Sequence, residues 1–227
     1  MSARPIGLLG GTFDPVHIAH LRLAVEALEQ LPVDSIRWIP SGQPGHRGPP
    51  AASVEDRLAM LELAIRGEPR FALDDAEARS SAPTFTVNTL DRLRTELGDE
   101  VPLVLIIGAD QLLALDSWHE WKRLFALAHI AVAHRPRFEF PTHELKGDLS
   151  LEYTHRSAAP AELARFPQGC IVTFEMTPLD ISASAIRAGI AAGRTPRYLL
   201  PDAVLDYIAS HRLYSTPICS SQETGTR

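Results

Sequence analysis

Hydrophobic and polar positions follow two patterns that alternate along the chain. Short apolar runs at 6–9, 36–39, 71–73, 103–107, 130–133 and 171–174 have the length of buried strands. Between them lie stretches with helical spacing. Leu21, Leu23, Val25, Leu28 and Leu31 follow the first run, Leu58, Leu61 and Ile65 the second, and Leu90, Leu93 and Leu97 precede the fourth. This alternation predicts βαβ units and a doubly wound α/β fold with a mostly parallel sheet. Such sheets bind ligands beyond the carboxyl ends of their strands, near a topological switch point. Chemistry is therefore expected in loops that directly follow strands. Residues 41–53, rich in Gly, Pro and Ser, form one such loop. The stretch 135–169 is weakly patterned and is assigned no elements, and the polar tail over 216–227 is expected to be disordered.

Composition narrows the picture. A length of 227 residues fits a single domain, placed at 5–215 with a small C-terminal helical part from about 180 to 215. Twenty-eight acids against 22 bases give a net charge of −6, which argues against binding nucleic acid or an anionic membrane through overall basic charge. Cys170 and Cys219 form no CxxC pair, the longest aliphatic run is 103–107, and the first residues lack a signal-peptide core. A cytoplasmic protein is the expectation, with its oligomeric state left open.

The most informative stretch is Gly7-Leu-Leu-Gly-Gly-Thr-Phe-Asp-Pro-Val-His-Ile-Ala-His20. A strand ends, Gly10 and Gly11 allow a sharp turn, and Phe13-Asp14-Pro15 tightens it. A helix is expected to begin near Val16, and its N-terminus would form a phosphate site. His17 and His20, three residues apart, would share a face and offer ring N–H donors. The spacing is neither Gly-x-Gly-x-x-Gly nor a Walker A loop. A second anion site is expected at Asp180-Ile-Ser-Ala-Ser-Ala-Ile-Arg187. There Ser182 is a natural N-cap, Ser184 adds a hydroxyl, and Arg187 falls in the first turns.

The first segment resembles the nucleotidyltransferase superfamily signature G-G-(S/T)-F-D-P-x-H-x-G-H, with Ala19 in place of the usual Gly. The second resembles I-S-(S/A)-T-x-I-R, with Ser184 in place of Thr. Between them, Pro40-Ser-Gly-Gln-Pro-Gly-His-Arg47, Pro83-Thr-Phe-Thr-Val-Asn-Thr-Leu90, the Gly108–Trp121 stretch and His134-Arg135-Pro136 resemble the nicotinate mononucleotide adenylyltransferase family. Gly45 and Phe85 depart from the family's usual Pro and Tyr. The resemblance spans about residues 6–214 in order.

It implies a Rossmann-like fold and transfer of the adenylyl group of ATP to nicotinate mononucleotide, with ATP and nicotinate mononucleotide as the partners. The implied catalytic set is His17, His20, Arg47 and Arg187. For ATP it implies Gly10, Gly11, Thr12, Phe13, Gly108, Asp110, Ile181, Ser182 and Ser184 beside the histidines and Arg187. For the acceptor it implies Thr12, His46, Arg47, Phe85, Thr86, Trp118 and Arg135, with Trp118 stacking on the pyridine ring. Trp121, apart from the resemblance, is expected to pack its helix onto the sheet. Mg²⁺ would arrive on the ATP phosphates, with no metal site in the protein. The six side chains His17, His20, His46, Arg47, Arg135 and Arg187 are expected to converge on one cleft.

Rival readings change the acceptor to phosphopantetheine, FMN or nicotinamide mononucleotide, or abandon catalysis for nucleotide sensing. The Phe85-Thr86 and Trp118 segments speak against the first two acceptors, and retention of both histidines with Arg187 against a sensor. A class I aminoacyl-tRNA synthetase would be longer, and a dehydrogenase would carry Gly-x-Gly-x-x-Gly.

Overall fold

The computed structural model describes residues 4–42, 49–136 and 142–215. Six strands, β1 (Ile6–Gly11), β2 (Ser35–Pro40), β3 (Phe71–Leu73), β4 (Leu103–Gly108), β5 (His129–His134) and β6 (Ile171–Glu175), form one sheet. Their order is β3-β2-β1-β4-β5-β6, and every pairing is parallel. The strands are the six apolar runs, most of them a residue or two longer. The chain winds outward from β1 to β3, then returns to place β4 beside β1. The switch point is therefore the crevice between the ends of β1 and β4.

Seven α-helices flank the sheet among the described residues: α1 (Ile18–Gln30), α2 (Val54–Ile65), α3 (Thr86–Leu97), α4 (Ala109–Leu113), α5 (Gly147–Arg156), α6 (Ala183–Ala191) and α7 (Asp202–Ser210). Strand side chains alternate between two cores. Val104 and Ile106 join Leu9, Trp38, Ala27, Met60, Ile186 and Val204, beneath α1, α2, α6 and α7. Leu103, Leu105 and Ile107 join Leu8, Val87, Leu90, Leu112 and Leu149, beneath α3, α4 and α5. Because both faces are covered, the strands read as continuous apolar runs rather than alternating ones. No described helix is long and apolar enough to cross a membrane.

The weakly patterned 135–169 stretch holds α5 and two short 3₁₀ turns, Thr142–Glu144 and Pro160–Ala164. Helix α5 buries only Leu149, with Tyr153 one turn on packed against the same core, so few apolar positions mark it. The tail over 216–227 lies outside the described residues.

At the amino edge of the sheet, opposite the switch point, Arg94 is 8% exposed. Its guanidinium donates to the carbonyl oxygens of Leu127, Gly98, Asp99, Val101 and Pro167. One side chain thus satisfies the backbone of three loops leading into β4, β5 and β6. Removing it takes the shared donor from all five carbonyl oxygens. Arg94→Ala is expected to lower unfolding stability by about 2–4 kcal/mol in urea titration. Its effect on turnover should be small, since Arg94 is remote from the crevice.

Candidate active site

The loop after β1 is built by close approach. A Cβ on Gly11 would lie 3.0 Å from the Phe13 ring, a contact so tight that the ring would have to shift. Phe13 itself has φ 49, a left-handed conformation that a bulky residue rarely adopts. Phe13 as a whole is 2% exposed, its ring edge-on to His20 at 5.1 Å and tilted against Trp38 at 5.4 Å. The Phe13 side chain therefore serves the core.

Helix α1 begins at Ile18, two residues later than the sequence suggests, and His17 is its N-cap residue. The cause is local: the His17 N–H donates to His20 Nδ1 at 3.3 Å, which holds His17 extended. The Ile18 N–H is taken by the Leu199 carbonyl at 3.0 Å. The helix end is thus partly capped by protein, and the two imidazoles pack against it.

Those rings stack with centroids 3.7 Å apart and planes 19° apart. His17 is 5% exposed, and its Nδ1 has no hydrogen-bond partner. Burial pushes the His17 pKa down to about 4. Burial, with repulsion from His17, pushes that of His20 down to about 3. Both are neutral at neutral pH. Since His20 Nδ1 accepts a hydrogen bond, its ring proton sits on Nε2 and is available to donate.

Asp14 organises the surroundings. It is 3% exposed, and its carboxylate accepts from the Ala51 N–H at 2.7 Å, the Ala52 N–H at 3.2 Å and the Tyr214 hydroxyl at 2.7 Å. Arg187 Nη1 donates to the Asp14 carbonyl oxygen at 2.6 Å and stands 3.7 Å from Asp14 Oδ2. Burial and the bond to Asp14 push the Tyr214 phenol pKa up, so it stays a donor. Arg187 comes from α6, whose N-cap Ser182 accepts from the Ala185 N–H at 3.2 Å and lies 3.3 Å from the Ser184 hydroxyl.

On the other side of the loop, a cavity of about 440 Å³ opens at the switch point. Gly10, Gly11 and Thr12 form one wall, and Phe85, Thr86, Asp110 and Trp118 the others. Thr86 is the first residue of α3, so its backbone N–H belongs to an unsatisfied helix end. A Cβ on Gly108 would lie 2.5 Å from the Asp110 carboxylate, so glycine there admits the acid to the crevice. Trp121 turns away and packs edge-on to Phe125 at 6.1 Å, as the sequence suggests.

Of the six cationic or imidazole side chains expected to converge, His17, His20 and Arg187 gather around the Phe13–His17 turn. Arg135 does not join them: it follows β5, is exposed, and lies outside the cavity lining. Its strand is separated from β1 by β4, which explains the gap. His46 and Arg47 lie outside the described residues. Sequence reasoning missed four groups. Glu77 lines the cavity, accepts from Thr89 Oγ1 at 2.7 Å, and has its pKa pushed up by burial. His119 lies 4.5 Å from Phe85 at the mouth. Tyr214 and the buried Arg57 adjoin the Asp14 turn. Only His119, beside Trp118, carried a sequence signal.

Comparison with known proteins agrees with this geometry. A family model described as cytidylyltransferase-like matches residues 8–189. A protein of Dechloromonas aromatica named "Probable nicotinate-nucleotide adenylyltransferase" is 51% identical over 93% of this chain and 98% of its own. The chain belongs to this family. A Methylococcus capsulatus relative of the same printed name is 46% identical over 92% of this chain and 99% of its own. Among solved structures, Plasmodium falciparum nicotinic acid mononucleotide adenylyltransferase complexed with NaAD superposes with a TM-score of 0.67 at 19% identity. That match covers 93% of this chain and 97% of the other. At that identity it supports the Rossmann-like fold.

The buried histidines make stability pH-dependent with a definite sign. Their folded pKa values of about 4 and 3 lie below the unfolded value of 6.5, so the unfolded chain binds more protons between these limits. Their contribution is fully present above pH 6.5 and is lost as pH falls toward about 3. Each can add a slope of up to about 1.4 kcal/mol per pH unit. Urea midpoints at pH 7.5 and 5 should fall less in His20→Asn than in the unaltered protein. Parallel curves would contradict the burial of a neutral pair.

Proposed function

We propose that this chain transfers the adenylyl group of ATP to nicotinate mononucleotide, releasing pyrophosphate and forming nicotinate adenine dinucleotide. The observation that carries the proposal is the two-sided Gly10–Thr12 loop. One flank leads to the stacked histidines and Arg187, and the other walls a flat-sided cavity with Trp118. A polyphosphate and a planar ring can thus meet at one switch point. Relatives above 40% identity carry names for this activity.

In this reading an oxygen of the acceptor phosphate attacks the α-phosphorus of ATP. The new P–O bond forms as the bond to the bridging oxygen breaks, and that oxygen leaves with its electron pair on pyrophosphate. The nucleophile is already anionic, so no general base is needed. Catalysis comes from positioning two polyanions and stabilising the charge that builds on the leaving group. His17 and His20 donate ring protons to the triphosphate, and Arg187 adds a fixed positive charge. A bound polyanion would also raise the histidine pKa values toward the charged form. Ser182, Ser184 and the Ile181 backbone serve the adenosine side, and Asp110 a ribose. Trp118 stacks on the pyridine, with Thr86 at its carboxylate and Phe85 beside it. His46 and Arg47 are assigned to acceptor phosphate, while Arg135 stands outside the cavity lining.

ATP enters as its Mg²⁺ complex. Asp14, in the turn before the histidines, has both carboxylate oxygens engaged by Ala51, Ala52 and Tyr214, so it suits structure better than metal ligation. The described residues hold no cluster of three or more metal-ligating side chains. We place the reaction in the cytoplasm.

The direct test is pyrophosphate release when nicotinate mononucleotide is added to the protein with MgATP. Release should depend on the acceptor, and the amide form should be the poorer substrate. His20→Ala should lower kcat by about 100-fold or more while remaining folded. A folded His20→Ala protein with near-normal turnover would remove His20 from the mechanism, and equal kcat/KM for acid and amide acceptors would reject the selectivity.

A further inference from the structure

Arg57 lies on α2, outside every motif that points to the site, yet it is 1% exposed. Its Nη1 donates to the Thr12 carbonyl oxygen at 2.7 Å. Its Nε and Nη2 have no hydrogen-bond partner. A guanidinium is costly to bury and is normally surrounded by acceptors, as Arg94 is with five carbonyl oxygens. Arg57 has one acceptor, and it belongs to the loop between the stacked histidines and the cavity. A core position that only needed filling would be met by an apolar side chain of similar length.

The effect of that bond follows from peptide geometry. In a trans peptide the carbonyl and the next N–H point in opposite directions. Arg57 draws the Thr12 carbonyl inward, so the Phe13 N–H is turned outward, away from α2. That N–H has no backbone partner among the described residues. Phe13 also holds a left-handed φ of 49, a strained state that persists only when its surroundings enforce it. Its ring is locked by Trp38 and His20 on one side, and its preceding peptide by Arg57 on the other.

We propose that Arg57 is a positioning residue that presents the Phe13 backbone N–H to a phosphate oxygen at the reacting centre. It touches no substrate itself. Its buried charge also lies behind the loop, where it favours negative charge building on the far side. This rests on the adenylyl-transfer reading for its kinetic arm, but the presented N–H is a property of the loop alone.

The experiment compares the full-length protein with Arg57→Met and Arg57→Lys, each checked for folding by circular dichroism. Under saturating MgATP and nicotinate mononucleotide, Arg57→Met should lose about 100-fold in kcat, with KM for ATP changed by less than about threefold. Arg57→Lys keeps a charged donor within reach of Thr12 and should retain more turnover than Arg57→Met. The second arm needs no turnover. With ¹⁵N-phenylalanine labelling, eight backbone amides are followed as inorganic triphosphate is added. The Phe13 amide should shift in the unaltered protein, and the shift should be lost in Arg57→Met and partly kept in Arg57→Lys. A folded Arg57→Met protein with kcat within about threefold of normal overturns the proposal. So does a Phe13 amide that ignores triphosphate in the unaltered protein. An unaltered protein that releases no pyrophosphate defeats the adenylyl-transfer reading instead, and the amide arm still decides this one.

Discussion

One buried carboxylate holds together the histidine side of the crevice. Asp14 is almost fully removed from water, and a carboxylate so placed must be met by donors or lose its charge. Its donors come from the residues before α2 and from Tyr214 beyond α7, while Arg187 of α6 holds its carbonyl. Those partners lie 37, 173 and 200 positions away in sequence. Satisfying this one residue, side chain and carbonyl together, therefore brings the loop after β1, the start of α2, the Ser182 helix and the C-terminal segment to one place. Tyr207, which donates to Asp56 at 3.0 Å, fastens α7 to α2 and supports the same junction.

Charge at this junction is arranged in reserve. The chain as a whole is acidic, at −6, and its two site histidines are neutral in the free protein. Permanent positive charge is supplied by Arg187, partly exposed, and by Arg57, buried behind the loop. A polyanion entering such a site meets oriented donors rather than a broad basic surface.

The sheet was legible because strands buried on both faces are written as uninterrupted apolar runs. The loop after β1 was legible because glycine, proline and paired histidines have strong local preferences. The start of α1 was misplaced by two residues because the His17–His20 hydrogen bond depends on side-chain geometry that spacing does not encode. Helix α5 was invisible because few apolar positions mark it. Arg57 and Arg94 were missed for a related reason. A buried arginine and a solvated one have the same place in a helical pattern, and only long-range partners tell them apart. Tyr214 was hidden likewise, since its bond to Asp14 spans almost the entire chain.

The central claim is that Asp14 couples these distant segments rather than merely shaping its own turn. Hydrogen–deuterium exchange of a folded Asp14→Asn variant tests it most directly, since asparagine keeps the size and loses the charge. The account predicts faster exchange in peptides covering 49–53, 185–188 and 213–215 together with 12–16. Faster exchange confined to 12–16, with the three distant segments unchanged, would contradict it.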